Sequence, residues 1–521
     1  MPTWDQPYVS YRSPVCAANI VATSQPLAVQ AGLDIMRQGG NAIDAALATA
    51  ITLTVVEPNN NGIGSDAFAM VWDGDGLSGL NASGRAPIGW SQERFAGLQQ
   101  MPQLGWDSVT VPGAVSAWVA LSERFGDVSF EELFEAAIHY AEDGFQVGPK
   151  TASHWNGAAE TYAVFTDFGK HFLPAPKAGE IVRRPDLART LRSIAKSNGT
   201  SFYTGELAEQ IVAASASAGG ALALEDLAEH EATWVEPLAI RYRDVHLHEI
   251  PPNGQGLAAQ IALGILNYFD PPMLDSADSV HLQLEAMKIA IRAAFEHFAE
   301  VRYMHLAPEE LLDPAMLKRA AATIGATASD LPPVALPVSH DTVYLTTADA
   351  SGKMVSFIQS NYQGFGSGIV IPGTGIAMQN RGYGFSLDPH HPNCVAPGKR
   401  PFHTIIPGFV TEAGAPRLSF GVMGGHMQHQ GHMQMVQRIF DHQQNPQAAS
   451  DAPRWHIRPD FSVALETGFS TTVANDLAAR GHRIEMESVE RVFGGAQLIY
   501  RTADGYIAGS DHRKEGMAAG F

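Results

Sequence analysis

The stretch DTVYLTTADASGKMVSFIQS, residues 341–360, contains two runs of strand-forming residues on either side of a turn. Residues 343–348 and 354–360 are rich in β-branched and aromatic side chains, whereas 349–353 contain Asp, Ser and Gly. This pattern predicts a β-hairpin. The preceding stretch, 306–340, is rich in Ala and Pro and has weak periodicity, which predicts a surface linker. A second half of the protein is therefore predicted to begin near Thr342.

Thr342, at the start of the first predicted strand, is a candidate nucleophile. A threonine hydroxyl is a weak nucleophile unless a base lies beside it. If the bond after Asp341 were cut, the freed α-amine of Thr342, with a reference pKa of about 8, would be that base. A threonine at a strand start is commonly structural, so this residue alone does not decide between the two interpretations.

Composition excludes several classes of partner. The chain of 521 residues has 34 basic and 54 acidic side chains, a net charge of −20, which argues against nucleic acid or an anionic membrane. Its 45% hydrophobic and 17% charged residues are typical of a soluble globular protein. Only Cys16 and Cys394 are cysteines, which favours a reducing compartment. With neither a signal-peptide pattern nor a membrane-length apolar run, we expect a cytoplasmic protein.

The first part of the chain alternates helix and strand signals. Helices are predicted over 25–38 and 42–56, the second one capped by Asn41, and strands over 67–72 and 77–82. The turn DGDG, residues 73–76, joins these strands. Helical patterns dominate from 112 to 304, most clearly over 279–303. The sequence therefore predicts a mixed α/β protein whose two halves share one core.

Short motifs are distributed along the whole chain in a fixed order. They are GGNAIDAA (39–46), NGIGSD (61–66), RAP (85–87), VPG (111–113), PPNGQG (251–256), TVYL (342–345), FGS (365–367), GKRP (398–401) and MGG (423–425). Each is weak alone. Together they resemble the γ-glutamyltransferase (glutathione hydrolase) family of N-terminal-nucleophile hydrolases, and the resemblance covers essentially the whole chain.

The resemblance implies an α+β protein with a four-layer αββα sandwich. It implies one inactive precursor that cuts itself between Asp341 and Thr342. The products would be a large subunit, 1–341, and a small subunit, 342–521, which share one core. A dimer of heterodimers is an assembly open to them. Neither a metal nor a cofactor is implied.

The resemblance also implies catalytic roles. Thr342 matches the catalytic threonine, and Gly424 and Gly425 match the glycine pair whose N–H groups form the oxyanion hole. Ser360 matches a hydroxyl that bonds the nucleophile. A family asparagine that contacts substrate corresponds either to Asn361 or, in a gapless match, to Tyr362.

The acyl end of the expected pocket departs from the family pattern. Ser83 stands where an arginine should hold the α-carboxylate of a glutamyl group, and the nearest guanidinium is that of Arg85. No acid occurs in residues 379–384 to hold the α-amine; Gly384 takes its place, with Arg381 close by. His403 and Thr404 replace a serine pair, and 385–401 is too short for the family's lid loop.

These departures point to an acidic acyl group held by Arg85 or Arg381. The expected activity is that of an autoprocessing amidohydrolase or acyltransferase. It would cleave a small-molecule amide, γ-glutamyl or a related acidic acyl compound, through an acyl-threonine. An oxamate-type amidohydrolase and a glutaryl- or cephalosporin-type acylase are the enzymatic alternatives. A relative that is never processed and only binds is the non-enzymatic one.

Three other patterns have simpler interpretations. His426, His429 and His432 recur at a spacing that could bind a metal, but structural histidines are favoured over ligands. GFGSG, residues 364–368, lacks the lysine and the helix of a phosphate loop. Glu285 and Lys288 are predicted to form a solvated pair on one helix.

Overall fold

The structure is a computed structural model that describes Trp4, residues 11–334 and residues 342–521. Asp341, one side of the predicted cleavage site, lies outside the described residues. The strands are β1 (Val15–Ala17), β2 (Ile20–Thr23), β3 (Asp66–Trp72), β4 (Leu77–Asn81), β5 (Phe145–Gln146), β6 (Ile181–Val182), β7 (Thr233–Val235), β8 (Leu238–Tyr242), β9 (Val245–Glu249), β10 (Val343–Ala348), β11 (Met354–Ser360), β12 (Gly408–Glu412), β13 (Ala415–Met423), β14 (Trp455–Ile457), β15 (Val463–Glu466), β16 (Ile484–Glu487), β17 (Gly495–Arg501), β18 (Tyr506–Ser510) and β19 (Met517–Gly520).

Helices account for most of the remaining regular structure. They are α1 (Pro26–Arg37), α2 (Ala42–Val56), α3 (Ala114–Phe125), α4 (Glu135–Asp143), α5 (Pro149–Tyr162), α6 (Thr166–Phe172), α7 (Pro185–Lys196), α8 (Thr200–Tyr203), α9 (Glu206–Ser217), α10 (Leu224–Ala228), α11 (Gly256–Leu266), α12 (Ala277–His297), α13 (Pro308–Leu311), α14 (Pro314–Ala321), α15 (Met427–Phe440), α16 (Pro446–Asp451) and α17 (Thr471–Ala479). No helix among the described residues has both the length and the apolar content needed to cross a bilayer.

Two seven-stranded antiparallel sheets form the centre of the fold. Their strand orders are β1-β18-β17-β13-β12-β9-β8 and β19-β2-β10-β11-β3-β4-β7. In the second sheet, β10 pairs with β2 on one side and with β11 on the other, and β11 pairs with β3. Strands from before and after Thr342 therefore alternate within one hydrogen-bonded sheet.

The apolar residues of the hairpin show how the layers are built. Val343 and Leu345 face the core beneath α1 and α2, whereas Tyr344, between them, faces the core between the two sheets. This alternation follows from the two-residue period of a strand, and here both faces are buried. A third core lies between the first sheet and helices α11, α12 and α15. The four-layer αββα sandwich is confirmed.

The local predictions are confirmed for most elements and wrong for the linker. The predicted hairpin is β10 and β11, and the predicted helices over 25–38 and 42–56 are α1 and α2. Residues 306–334 are not an irregular linker, because α13 and α14 form within them. Each of these helices starts at a proline whose fixed φ suits a first helical turn. They are too short to produce visible periodicity.

The turn of the hairpin is fixed to the start of α2. Asp349 accepts a hydrogen bond from the backbone N–H of Ala42 at 2.7 Å, and the Thr347 hydroxyl donates to the Ala42 carbonyl at 2.6 Å. Asn41 caps the same helix by accepting from the backbone N–H groups of Ile43 and Asp44. The strand that begins after Thr342 is thus held at its far end by a fully buried helix.

Replacement of Asp349 with Ala should lower the free energy of unfolding by about 1–3 kcal/mol, because a buried N–H at the helix start loses its acceptor. Urea unfolding of the full chain, followed by circular dichroism, measures this change. Asp75→Ala is the matched control, since Asp75 lies in the exposed turn between β3 and β4. An equal loss in both variants would show that the contact between Asp349 and α2 contributes nothing specific.

Candidate active site

Thr342 lies immediately before β10, and its side chain is buried, with 1% exposure. Its hydroxyl donates to the Ser360 hydroxyl at 3.3 Å and receives a hydrogen bond from the Gln428 amide at 3.4 Å. Thr342 and Ser360 meet because Val343 and Gln359 are register partners in the hairpin. The predicted nucleophile and the predicted hydroxyl partner are therefore brought together by strand pairing.

Ser360 is oriented by the unusual backbone that follows it. Its hydroxyl accepts a hydrogen bond from the Tyr362 N–H at 2.8 Å. Tyr362 has a φ of +82°, which is costly for a bulky side chain and persists only where the surroundings enforce it. The Tyr362 ring is buried against the guanidinium of Arg381, at 4.1 Å from the ring centroid. Strained backbone of this kind clusters at functional sites.

Gly424 and Gly425 connect β13 to the N-terminus of α15. Their φ angles are +121° and +58°, and a Cβ at Gly424 would lie 2.9 Å from the Gly494 Cα, so Gly424 could not carry a side chain without displacing backbone. The start of a 14-residue helix concentrates unpaired N–H groups and partial positive charge. Gln428, in the first turn of that helix, contacts the Thr342 hydroxyl. The arrangement is suited to an oxyanion beside Thr342.

Gln255 connects this glycine pair to the part of the chain before Thr342. Its amide nitrogen donates to the carbonyl oxygens of Gly425 and Thr404 at 2.8 and 2.5 Å. Its amide oxygen contacts Nδ1 of His429 at 2.8 Å. One buried side chain from the predicted large subunit therefore positions two segments of the predicted small one.

Arg381 is a buried cation of the site. It is 0% exposed, and its Nη1 donates to the Thr404 hydroxyl at 2.9 Å. Within the described residues, Nε and Nη2 have no hydrogen-bond partner. Burial lowers the pKa of Arg381 to about 10, so the guanidinium stays charged at neutral pH. It can therefore offer further donors to an anion.

Asp66 and His403 form a buried pair beside Arg381. The Asp66 carboxylate contacts His403 Nε2 at 3.0 Å and accepts from the N–H groups of Gly84 and Gly113 at 2.9 and 3.1 Å. Burial raises the pKa of Asp66 to about 6, although the charge of Arg381 opposes this increase. Burial, followed by the charge of Arg381, lowers the pKa of His403 well below its ordinary value. His403 is thus neutral, and its Nε2–H donates to Asp66.

Asn361 and Tyr362, the two alternatives for one substrate contact, have different environments. The Asn361 side-chain oxygen accepts from the Ser65 hydroxyl at 2.8 Å, and its Nδ2 has no partner in the described part of the chain. Tyr362 instead packs on Arg381. Both remain candidates, one as a donor and the other as a wall of the pocket.

The structure separates the two candidate arginines. Arg85 is ion-paired with Glu300 at 2.8 Å, donates to the Gly398 carbonyl, and is 36% exposed. Arg381, in contrast, packs on the ring of Tyr362. Arg381 is therefore the guanidinium that the fold places next to the Ser360–Tyr362 segment.

Asp66, Gln255 and Gln428 were not assigned roles from the sequence. Asp66 and Gln255 lie within the motifs NGIGSD and PPNGQG, so these motifs could have pointed to both residues. Gln428 carried no signal of its own. Each role depends on contacts between residues more than 80 positions apart.

The three closely spaced histidines each have a separate environment. His429 contacts Gln255, His432 contacts Glu249 at 2.7 Å, and the His426 ring stacks on Phe402. All three side chains therefore contact protein groups.

The prediction that Glu285 and Lys288 form a solvated pair is wrong. Both side chains are buried, and Lys288 Nζ lies 2.8 Å from the Glu285 carboxylate. That face of α12 is covered by residues 325–329 and by His482, whose positions no helical pattern could reveal.

The same cluster holds the one set of potential metal ligands found among the described residues, namely His281, Glu285 and His482. His281 Nδ1 contacts His482 Nε2 at 2.8 Å, and His281 Nε2 contacts the Gly325 carbonyl at 2.9 Å. The Lys288 ammonium lies against both Glu285 and His482. His281, Glu285 and His482 therefore each have a hydrogen-bond partner within the protein.

A cavity of about 680 Å³ borders the loop after Tyr362. Gln363 and Gly364 form one wall, and α5 forms another through residues such as His154 and Tyr162. Lys150, also on α5, and Arg491 line the cavity as well. This volume is in the range of small-molecule sites in proteins.

The fold and the site together define an N-terminal-nucleophile hydrolase. Comparison with known proteins then identifies the family: the gamma-glutamyltranspeptidase profile matches residues 28–521. The chain belongs to the gamma-glutamyltranspeptidase family, and it is an autoprocessing amide hydrolase or acyltransferase.

The relatives within the family are named after different activities. The chain is 34% identical to the oxamate amidohydrolase proenzyme of Klebsiella pneumoniae, over 98% of this chain and 100% of that protein. It is 33% identical to the glutathione hydrolase-like YwrD proenzyme of Bacillus subtilis, with the same coverage. Among solved structures, the cephalosporin acylase from Bacillus halodurans has a TM-score of 0.96 and 47% identity, over 100% of this chain and 99% of that one.

Because the pKa of Asp66 is raised, we expect anion binding at Arg381 to depend on pH. Above a pH of about 6 the Asp66 carboxylate offsets the charge of Arg381, and below it the neutral acid does not. We expect oxalate, which is ionised throughout, to bind the processed enzyme about fivefold or more tightly at pH 5 than at pH 7.5.

Isothermal titration calorimetry measures this affinity in the wild type and in Asp66→Asn, which lacks the titrating group but keeps the Thr342 amine. The variant should lose most of the pH dependence, and Asp75→Asn should retain it. Identical pH profiles for wild type and Asp66→Asn would contradict coupling between Asp66 and Arg381.

Proposed function

We propose that the processed enzyme hydrolyses an amide whose acyl group carries its own carboxylate, and that Arg381 binds this carboxylate. The supporting observation is a fully buried guanidinium, two of whose nitrogen atoms have no hydrogen-bond partner among the described residues. It packs on Tyr362, which lies two residues after Ser360. Arginine recognises carboxylates through paired N–H donors. A second candidate position, Arg85, is already paired with Glu300.

Maturation in this proposal is cleavage between Asp341 and Thr342. The products are the large subunit, 1–341, and the small subunit, 342–521. They would stay together because β10 and β11 are interior strands, hydrogen-bonded to β2 and β3 of the large subunit. The new N-terminus would lie at the start of β10, where strand pairing restricts its movement.

The chemical step then needs only groups near Thr342. Its α-amine takes the proton from its own hydroxyl, and the oxygen attacks the amide carbon to give a tetrahedral oxyanion. The N–H groups of Gly424 and Gly425 would stabilise this oxyanion, while Ser360 and Gln428 hold the nucleophile. The Thr342 α-ammonium then returns this proton to the substrate nitrogen, the C–N bond breaks, and the product amine leaves. Water, deprotonated by the freed α-amine, attacks the acyl-threonine, which releases the acid and restores the hydroxyl.

The pocket should discriminate against a γ-glutamyl group. A glutamyl α-amine needs an acid, yet residues 379–384 contain none, and Arg381 would repel the amine. Asp66 lies nearby, but its carboxylate is already bonded to His403 and to two backbone N–H groups. A glutaryl group, which has the carboxylate without the amine, fits these charges better. His403 and Thr404 would line the acyl chain, with Asn361 as a further donor.

The leaving group is the feature on which two versions of the proposal differ. The cavity of about 680 Å³ beside Gln363 and Gly364 favours a bulky amine, as an acylase would release. The strong structural similarity to a cephalosporin acylase supports this version. An oxamate-type enzyme, which releases ammonia, would have no need of such a cavity.

The decisive experiment compares anilides that share one leaving group. Glutaryl anilide should be the best substrate, with γ-glutamyl and butyryl anilides poorer, because only glutaryl combines a carboxylate with no ammonium. Arg381→Met should lower kcat/KM for the glutaryl anilide by about 100-fold or more and leave the neutral butyryl anilide nearly unchanged.

Arg85→Met is the matched control and should behave as the wild type with all three anilides. Chain cleavage and butyryl activity show that Arg381→Met is folded. If Arg85→Met lost the glutaryl activity, or if Arg381→Met lost both activities equally, the assignment of Arg381 would be wrong. Oxamate hydrolysis, followed by ammonia release, tests the alternative in the same samples.

A further inference from the structure

Arg184, directly before α7, is a buried cation. It is distant from Thr342 in sequence and has no role in the proposed reaction. The residue is 3% exposed, and none of its three side-chain nitrogen atoms has a hydrogen-bond partner in the described residues. Its backbone N–H donates to the Ala141 carbonyl at 2.6 Å, so the residue is held in place. Burial lowers the pKa of Arg184 to about 9, which leaves it charged at neutral pH.

Aromatic rings cover the guanidinium. Its central carbon lies 4.3 Å from the centroid of Phe172 and 4.7 Å from that of Trp155. Such contacts attract the charge, but the N–H groups point outward in the plane of the guanidinium and need acceptors. Burial of a charge without hydrogen bonds or a counterion is strongly unfavourable.

The other polar groups around Arg184 also favour an anion. His171 Nε2 is buried and has no partner in the described residues, and burial together with Arg184 lowers the pKa of His171 to about 3. The imidazole is therefore neutral and can donate one N–H. The N-terminus of α7, a 12-residue helix that starts at Pro185, has no side-chain cap. Its N–H groups add partial positive charge.

Acids of the described residues do not compensate this charge. No ion pair to Arg184 occurs in the described part of the chain, and burial alone accounts for its lowered pKa. Asp186, two residues along the chain, pairs with Arg189, and Glu142 pairs with Arg192, both at the surface. The protein thus supplies donors and positive charge here without an acceptor.

We propose that Arg184, with His171 and the start of α7, forms a binding site for a small inorganic anion, chloride under ordinary conditions. The anion accepts in-plane hydrogen bonds from the guanidinium, while Trp155 and Phe172 shield it from water. This site is separate from Arg381 and does not depend on the proposed function.

The anion site lies beneath the loop 363–367, which follows Ser360. Trp155 and Phe172 also pack on Phe365, at centroid distances of 5.7 and 4.7 Å. Phe365 belongs to the loop 363–367, which starts one residue after Tyr362. Anion binding therefore stabilises the aromatic cluster on which this loop rests.

Thermal unfolding of the full protein in chloride and in gluconate, at constant ionic strength, tests the site. The wild-type midpoint should rise by about 1–2 °C as chloride replaces gluconate and should then saturate, because the ion binds only the folded state. Arg184→Met should show no chloride response. The neighbouring exposed Arg183 provides the matched control, and Arg183→Met should respond as the wild type does.

The proposal would be overturned if chloride left the thermal unfolding midpoint of the wild type unchanged, or if it raised the midpoint of Arg184→Met equally. Bromide-soaked crystals give an independent measurement if Arg184→Met fails to fold. An anomalous peak within hydrogen-bond distance of the Arg184 guanidinium supports the site. Absence of a peak there, in crystals with bromide bound elsewhere, contradicts it.

Discussion

The pairing of β10 with β11 is the constraint on which the site depends. Its register sets Val343 opposite Gln359 and so places Thr342 against the Ser360 hydroxyl. Because β10 is an interior strand, its start cannot shift without breaking hydrogen bonds on both sides. A nucleophile placed there keeps amine, hydroxyl and partner in a fixed geometry, which is the main advantage of an intramolecular base.

The proposed acyl pocket depends on a balance of buried charges. Arg381 is positive, Asp66 partly compensates it, and His403 remains neutral because a second cation there would be costly. A substrate carboxylate would complete this balance, whereas a substrate ammonium would disturb it. The family's chemistry can thus be retained at Thr342 while the acyl specificity changes through a few residues remote from it in sequence.

Features set by local sequence could be predicted, and features set by distant contacts could not. The hairpin and α2 followed from strand-forming residues, a turn and an asparagine cap. The resemblance placed Thr342 but left Arg85 and Arg381 as equal candidates, since only the folded chain shows the ion pair of Arg85 with Glu300. Burial of Lys288 was missed for the same reason, because its cover comes from distant segments.

In the proposed mechanism, Thr342, freed by cleavage, carries the acyl group. Mass spectrometry of the small subunit, after rapid quenching during turnover of a glutaryl amide, tests this most directly. We expect an N-terminal peptide that begins at Thr342 and carries one glutaryl group on that residue. An uncut peptide spanning Thr342 in an active sample, or a glutaryl group on another residue, would contradict it.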